Sequence, residues 1–225
     1  ARQFMKNTRS TISASTVNQN SNSRNDLILT IDNGTQSVRA LLFDLQGNLV
    51  AKSRIELEAY FSENPGWAEQ NVDYFWQMLG ECCQQLWQQS EVIENGYREK
   101  VTAVTITTQR GTVINLDKNA QALRPAILWL DQRLSQPTKA MPWYWRVAFS
   151  LIGQSKVVDY FRRKAQANWL QQYQPEVWQK TDKFLLLSGF FTHKLTGQFK
   201  DSIGSIVGYL PFDYKKQAWA NAWDW

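Results

Sequence analysis

The sequence predicts an α/β domain built on a mixed sheet with flanking helices, and three observations carry that expectation. The first ordered stretch holds strand-like runs at 27–32 (LILTID), 37–44 (SVRALLFD) and 49–60, joined by two tight turns. A helix with one apolar face follows, with Val72, Phe75, Trp76, Leu79, Cys82, Cys83 and Leu86 at helical spacing. Next comes 101–108 (VTAVTITT), β-branched almost throughout, as in a strand buried on both faces beneath helices.

Taken in order, Asn33-Gly34-Thr35-Gln36 turns the chain between the first two strands and Gln46-Gly47-Asn48 between the second and third. Segment 62–71 (SENPGWAEQN) reads as a loop by its Pro, Gly and Asn content, Asn71 is a helix cap, and the helix is expected to end near Asn95-Gly96. Beyond 101–108, residues 112–117 form another strand with a turn at 117–120, and 125–130 (PAILWL) a further short one. The order β-β-β-α-β followed by more strand is the ribonuclease-H-like, actin-like ATPase arrangement and differs from the regular alternation of a Rossmann domain. From about 138 to 197 the pattern turns helical and dense in Trp, Tyr and Phe, which predicts a helical insertion or cap whose aromatics are core; 184–195 keeps a helical period.

Composition bounds the function. With 225 residues, 43% of them apolar and 13% aromatic, the chain can bury a sizeable core. The net charge of +5 owes much to Arg2, Lys6, Arg9 and Arg24, which precede the first acidic residue, Asp26. The rest is near neutral, so no broad phosphate-tracking surface and no nucleic-acid partner is expected. The rival is single-strand binding through Arg146, Arg162, Arg163 and Lys164 interleaved with Trp143, Trp145 and Trp169. The two cysteines, Cys82 and Cys83, are adjacent and poorly placed for a disulfide, which points to a reducing, cytoplasmic location. No apolar run of about 18 residues predicts a membrane span. Residues 1–25 read as a disordered basic Ser/Asn-rich tail, with an organellar transit peptide as the competing reading.

The chemistry concentrates between the first two strands, at Asp32-Asn33-Gly34-Thr35-Gln36-Ser37-Val38-Arg39. A triphosphate needs backbone N–H groups aimed at its oxygens, a residue without Cβ where the chain approaches closely, hydroxyl donors, and a carboxylate to hold hydrated Mg²⁺. Gly34, Thr35, Ser37 and Asp32 supply those types in order. The alternative is a plain hairpin turn at Asn33-Gly34.

Segment 27–44 resembles the opening signature of the FGGY carbohydrate kinases, a strand ending in an Asp-x-Gly-Thr-x-Ser-x-Arg loop. The resemblance implies MgATP-dependent phosphorylation of a sugar or polyol. Gly34, Thr35, Gln36, Ser37 and Arg39 would surround the ATP phosphates, and Asp32 would face Mg²⁺ through water. Arg124 to Arg133 (RPAILWLDQR) is similar to the family's Pro-Ala-Ile-x-Trp-x-Asp-x-Arg segment, and Gln109-Arg110-Gly111-Thr112 follows a strand at its C-terminal end, where ligands of such sheets collect. Gln109, Arg110, Trp129 and Asp131 are the expected substrate-binding residues: polar groups for hydroxyls and an indole for a sugar's C–H face. Asp131 with Arg133 also fits a structural ion pair. Glycerol kinases carry an acidic residue where this chain has Gly111, so one substrate hydroxyl lacks an expected partner.

Lys164, Trp169, Leu170, Pro175 and Trp178, then Leu195-Thr196-Gly197 and Asp201-Ser202, match later family stretches, so the resemblance runs from Leu27 to the end. His193 is expected to pack or lie at the surface. The family's catalytic aspartate lies in a Gly-rich segment downstream of the Asp-x-Ser stretch. The resemblance therefore places the base beyond Trp225, leaves no catalytic residue here, and predicts that residues 26–225 are an incomplete N-terminal kinase domain, inactive without the second actin-like domain. The alternative is a non-catalytic sugar- or partner-binding module of the same fold. The expected partner is a small sugar or polyol, with homodimer formation an open option.

Overall fold

A computed structural model describes residues 26–136 and 141–220. The expected tail, 1–25, lies outside the described residues. The chain opens as a meander of β1 (Leu27–Asn33), β2 (Ser37–Asp44) and β3 (Leu49–Glu56). After the short β4 (Glu69–Gln70) come α1 (Val72–Trp87) and α2 (Ser90–Glu94), then β5 (Val101–Thr108), β6 (Val113–Leu116) and β7 (Ala126–Ile127). Four helices follow, α3 (Trp143–Leu151), α4 (Ser155–Lys164), α5 (Gln166–Tyr173) and α6 (Pro175–Lys180), then β8 (Lys183–Leu186), α7 (Leu187–Thr196), β9 (Phe212–Asp213) and β10 (Ala218–Trp219).

The first sheet has the order β3-β2-β1-β5 and is mixed: β1 runs antiparallel to β2 and parallel to β5. Alternation decides its faces. Leu27, Leu29 and Ile31 of β1 and Val38, Ala40 and Leu42 of β2 are buried, and α1 supplies Phe75, Met78, Leu79, Cys82 and Leu86 to the same core. Each Val, Leu, Ile, Phe or Met side chain among them contributes about 1.5–3 kcal/mol by leaving water, which fixes the strand register and hence the geometry of the β1–β2 turn. A second, antiparallel sheet has the order β4-β7-β6-β8, and β9 and β10 form a separate ribbon.

Several elements differ from expectation. The third strand ends at Glu56, and the long helix breaks between Trp87 and Ser90. Glu69 and Gln70, inside the expected loop, pair with Ile127 and Ala126. Residues 183–186 are strand rather than helix, because β6 pairs with them from Val113↔Leu186 to Leu116↔Lys183. β5 is not buried on both faces: it is the outermost strand of its sheet, and Val104 is 52% exposed. Burial on both faces needs a layer on each side, which composition alone cannot supply. Helix α3 has no buried residue, and Trp143 is 75% exposed, although its aromatics had the spacing of a core. His193 stacks on Phe199 at 3.9 Å, a packing role. Both cysteines are free, and burial pushes the Cys83 thiol up to about 11, with Cys82 adding to the effect. No helix among the described residues is long and apolar enough to cross a membrane.

Candidate functional site

The β1–β2 hairpin forms one wall of the site. Gly34 N–H donates to the Ser37 carbonyl at 3.0 Å and closes the turn, so this amide is not free for a ligand. The register sets Asp32 opposite Arg39 on β2 and opposite Thr107 on β5, and Arg39 opposite Arg54 on β3. Directly opposed residues share a face. A polar row, Thr107–Asp32–Arg39–Arg54, therefore crosses the sheet at the turn end. Arg39 Nη1 donates to Asp32 Oδ2 at 2.8 Å and Thr107 Oγ1 to Asp32 Oδ1 at 3.0 Å. Arg54 was missed in the sequence, because a basic residue on an alternating strand looks merely solvated.

The second wall comes from the segment after β7. Trp129 Nε1 donates to Thr35 Oγ1 at 2.9 Å, and Thr35 Oγ1 donates to Gln109 Oε1 at 3.1 Å. Gln109 N–H is bonded to the Asn33 carbonyl at 2.9 Å. One hydroxyl thus ties together the hairpin, the loop after β5 and the Trp129 segment. Gly34, Thr35, Gln36, Ser37, Arg39, Arg54 and Trp129 line an open cleft of about 390 Å³. Ser37 is only 4% exposed, whereas Gln36 is exposed.

Asp131, expected on the substrate side, is placed elsewhere. It is 1% exposed, and its carboxylate accepts from Ala68 N–H at 2.8 Å, Arg133 N–H at 3.0 Å and Arg133 Nε at 2.8 Å. The Arg133 guanidinium lies 3.9 Å from the Trp67 ring centre and 4.6 Å from that of Trp169, and Nη2 reaches Glu69 at 2.7 Å. Arg124 also pairs with Glu69, and Lys164 Nζ donates to the Asp131 carbonyl. Two carboxylates and two guanidinium groups form a buried cluster that joins β4, the turn after β7 and α4. Burial holds the Arg124 guanidinium below its ordinary value, against the pull of Glu69. Burial likewise lowers Lys164, opposed by Asp131. With both oxygens engaged and no exposed side, Asp131 braces the site and does not face the cleft.

Arg110 is exposed, and its Nη1 donates to the Gly204 carbonyl at 3.4 Å. Gly111 has φ +80°. A Cβ there would lie 2.6 Å from Tyr209 Oη, so the space of a side chain at 111 is filled by a phenol from the far end of the chain. Tyr209 was not foreseen; only its hydroxyl marks it in the sequence. Burial raises its pKa, with a Gln166 hydrogen bond acting the other way.

Sheet order, with β1 antiparallel to β2 and parallel to β5, and the flanking helices define an α/β domain of actin-like ATPase fold. The model of the FGGY family of carbohydrate kinases, N-terminal domain, matches residues 27–223, and the chain belongs to that family. It is 28% identical over 191 residues to the xylulose kinase of Escherichia coli strain K12, covering 85% of this chain and 38% of that protein. It is 25% identical over 199 residues to the glycerol kinase of Thermococcus onnurineus, covering 85% of this chain and 38% of that protein. Among solved structures, xylulose kinase from Rhodospirillum rubrum superposes with a TM-score of 0.66 at 18% identity, over 85% of this chain and 39% of that one. Plasmodium falciparum glycerol kinase, solved with ADP, gives 0.62 at 23% identity, over 87% of this chain and 39% of the other. The chain thus spans well under half the length of the relatives it matches.

Proposed function

We propose that this chain is the phosphate- and sugar-binding part of a kinase that transfers the γ-phosphoryl group of MgATP to a hydroxyl of a small sugar or polyol. The observation that carries the reading is the Thr35 hydroxyl, bonded to both Trp129 and Gln109, which links the hairpin to the loop expected to hold the acceptor. Phosphoryl transfer of this kind works chiefly by positioning and charge stabilisation, so a rigid link between two binding loops is what it requires.

The residues present fit the nucleotide. Arg39 and Arg54 bring two cations to the cleft, and Gly34 and Thr35 let the chain approach closely; a guanidinium matches phosphate oxygens in a bidentate manner. The fit to Mg²⁺ is a minimal one. Among the described residues no group of three or more His, Cys, Asp or Glu side chains could hold a metal, which leaves Asp32 as a single carboxylate acting through water. Mg²⁺ beside nucleotide phosphates commonly uses only one or two carboxylates and keeps several waters. When bound, the ion would neutralise charge on the transferring group. Asp32 would hold its water shell, Arg39 would hold Asp32 and the phosphates, Ser37 would donate its hydroxyl, and Thr35, its proton already given to Gln109, would keep the turn in place.

On the acceptor side, Gln109 and Arg110 offer polar groups and Trp129 a flat apolar surface, being 48% exposed. The step also needs a carboxylate to take the proton of the attacking hydroxyl. The gene product would be cytoplasmic and would act on small molecules rather than nucleic acid or membranes.

The test is ADP release by the full-length gene product with MgATP and a panel of glycerol, xylulose, ribulose and erythritol, alongside Asp32→Ala. Turnover on one compound that disappears in the variant supports the reading. A folded protein silent on the whole panel points instead to a binding module.

A further inference from the structure

Helix α3 buries none of its residues, yet its sequence has one apolar side. At about 100° per residue, Trp143, Tyr144, Val147, Ala148 and Leu151 fall within a single arc about 140° wide. Trp145 and Phe149, which stack at 5.5 Å, fall outside that arc, as do Arg146 and Ser150. The arc faces water: Leu151 is 82% exposed, and Ile152, just past the helix, is 63% exposed. Val157 and Tyr160 of α4, beyond the turn at Gly153, are exposed as well. A helix of nine residues is marginal in water unless an amphipathic face packs against something. Single exposed apolar side chains are ordinary, whereas an apolar arc running the length of a helix marks contact with an apolar medium or partner.

Charge chooses among the occupants. Between Asp131 and Asp159 the sequence holds Arg133, Lys139, Arg146 and Lys156 and no acidic residue. Arg133 is committed to the buried cluster, while Arg146, at the margin of the arc, and Lys156, in the first turn of α4, are exposed. A second copy of this chain would bring like charges together, with no acid in the segment to answer them. A single-stranded nucleic acid would use Trp143, Tyr144 and Arg146, but Val147, Leu151 and Ile152 give a base nothing to stack on. An anionic lipid leaflet uses all of them: Trp and Tyr at headgroup level, aliphatic side chains below it, and basic side chains toward the phosphates.

We propose that α3 and the turn after it form a membrane-surface docking element, which lays the Trp143–Leu151 face into the headgroup region of a leaflet rich in anionic lipid. Nine residues span about 13 Å, less than half of a bilayer's hydrocarbon core, so the helix lies along the surface and does not cross it. The lipid is an attachment surface and not a substrate, so the cleft at the β1–β2 turn keeps its small-molecule role. The docking element stands whether or not the kinase reading does, because none of its residues lines that cleft.

The experiment is flotation of the full-length gene product with vesicles of phosphatidylcholine alone or mixed with about one third phosphatidylserine. The mixed vesicles should bind about 10- to 30-fold more tightly, the effect of two basic side chains near an anionic surface, and about 0.5 M NaCl should remove most of the difference. Leu151→Glu and Trp143→Ser, at exposed positions that should leave the fold intact, should each weaken binding to the mixed vesicles about tenfold or more, with circular dichroism and sugar turnover in solution unchanged. Three results would overturn the proposal: a folded natural chain that floats with neither vesicle, equal flotation of the natural chain and both variants, or a dimer or a single-strand complex in place of vesicle binding that Leu151→Glu abolishes.

Discussion

Replacing Asp131 with alanine should unfold the domain at a markedly lower temperature, and it should do so through stability and not through the sugar site. The carboxylate is 1% exposed and accepts from Ala68 N–H, Arg133 N–H and Arg133 Nε. Removing it leaves the Arg133 guanidinium, packed against Trp67 and Trp169, with Glu69 as its remaining anion. Breaking a buried pair by deleting one partner costs about 3–5 kcal/mol, and the orphaned Ala68 N–H falls within that sum. For a domain of this size each kcal/mol lowers Tm by about 2–4 °C, so the expected fall is about 6–20 °C. Thermal melts followed by circular dichroism, with urea titration for the free energy, measure it. Asp131→Asn should fall between the two, because the amide keeps one acceptor and loses the charge. A Tm within about 2 °C of the natural chain, joined to a loss of sugar affinity, would refute the assignment of Asp131 as a brace and return it to the substrate.

Two further substitutions or titrations test other parts of the structure. Cys83, its thiol raised from 9.0 to about 11 mainly by burial, should carry roughly 100-fold less thiolate at pH 8 than an open cysteine, so alkylation by iodoacetamide should be slow and should accelerate toward pH 11. A thiol whose folded pKa is raised contributes stability that is complete below the unfolded value and is lost as pH rises through the folded one, so the expected loss lies between pH 9 and 11 and is visible in pH-dependent melts. Gly111→Ala, at φ +80° and 2.6 Å from Tyr209 Oη, should cost about 1–3 kcal/mol in urea denaturation and displace the phenol.

What the sequence revealed of this site follows from distance along the chain. The Asp32–Arg39 hairpin was readable because strand, turn and strand lie within a few residues and the register is set locally by alternating Leu, Ile, Val and Ala. Asp131 and Arg133, two residues apart, could be seen as an ion pair, but Glu69 and Arg124, which complete the cluster, could not: Glu69 lies 64 residues from Arg133 and sat in an apparent loop. Arg54 needed the β2–β3 register, and Tyr209 lies 98 residues from Gly111. The helical period read over 184–195 starts too early, because β6 presents a free edge that claims 183–186 as β8, an instance of tertiary pairing overriding local pattern. The expected burial of β5 failed for a related reason: β-branched composition reports a strand, not how many layers cover it.

Phosphorus-31 NMR of MgATP titrated with this chain tests most directly whether the β1–β2 hairpin receives the nucleotide. The β and γ resonances should shift or broaden with the natural chain. Arg39→Ala, which removes a charge-assisted contact, and Thr35→Val, which removes the hydroxyl joining Trp129 and Gln109, should each weaken the effect about tenfold. Resonances unmoved at millimolar protein, or moved equally by all three proteins, would contradict the assignment of this loop to ATP.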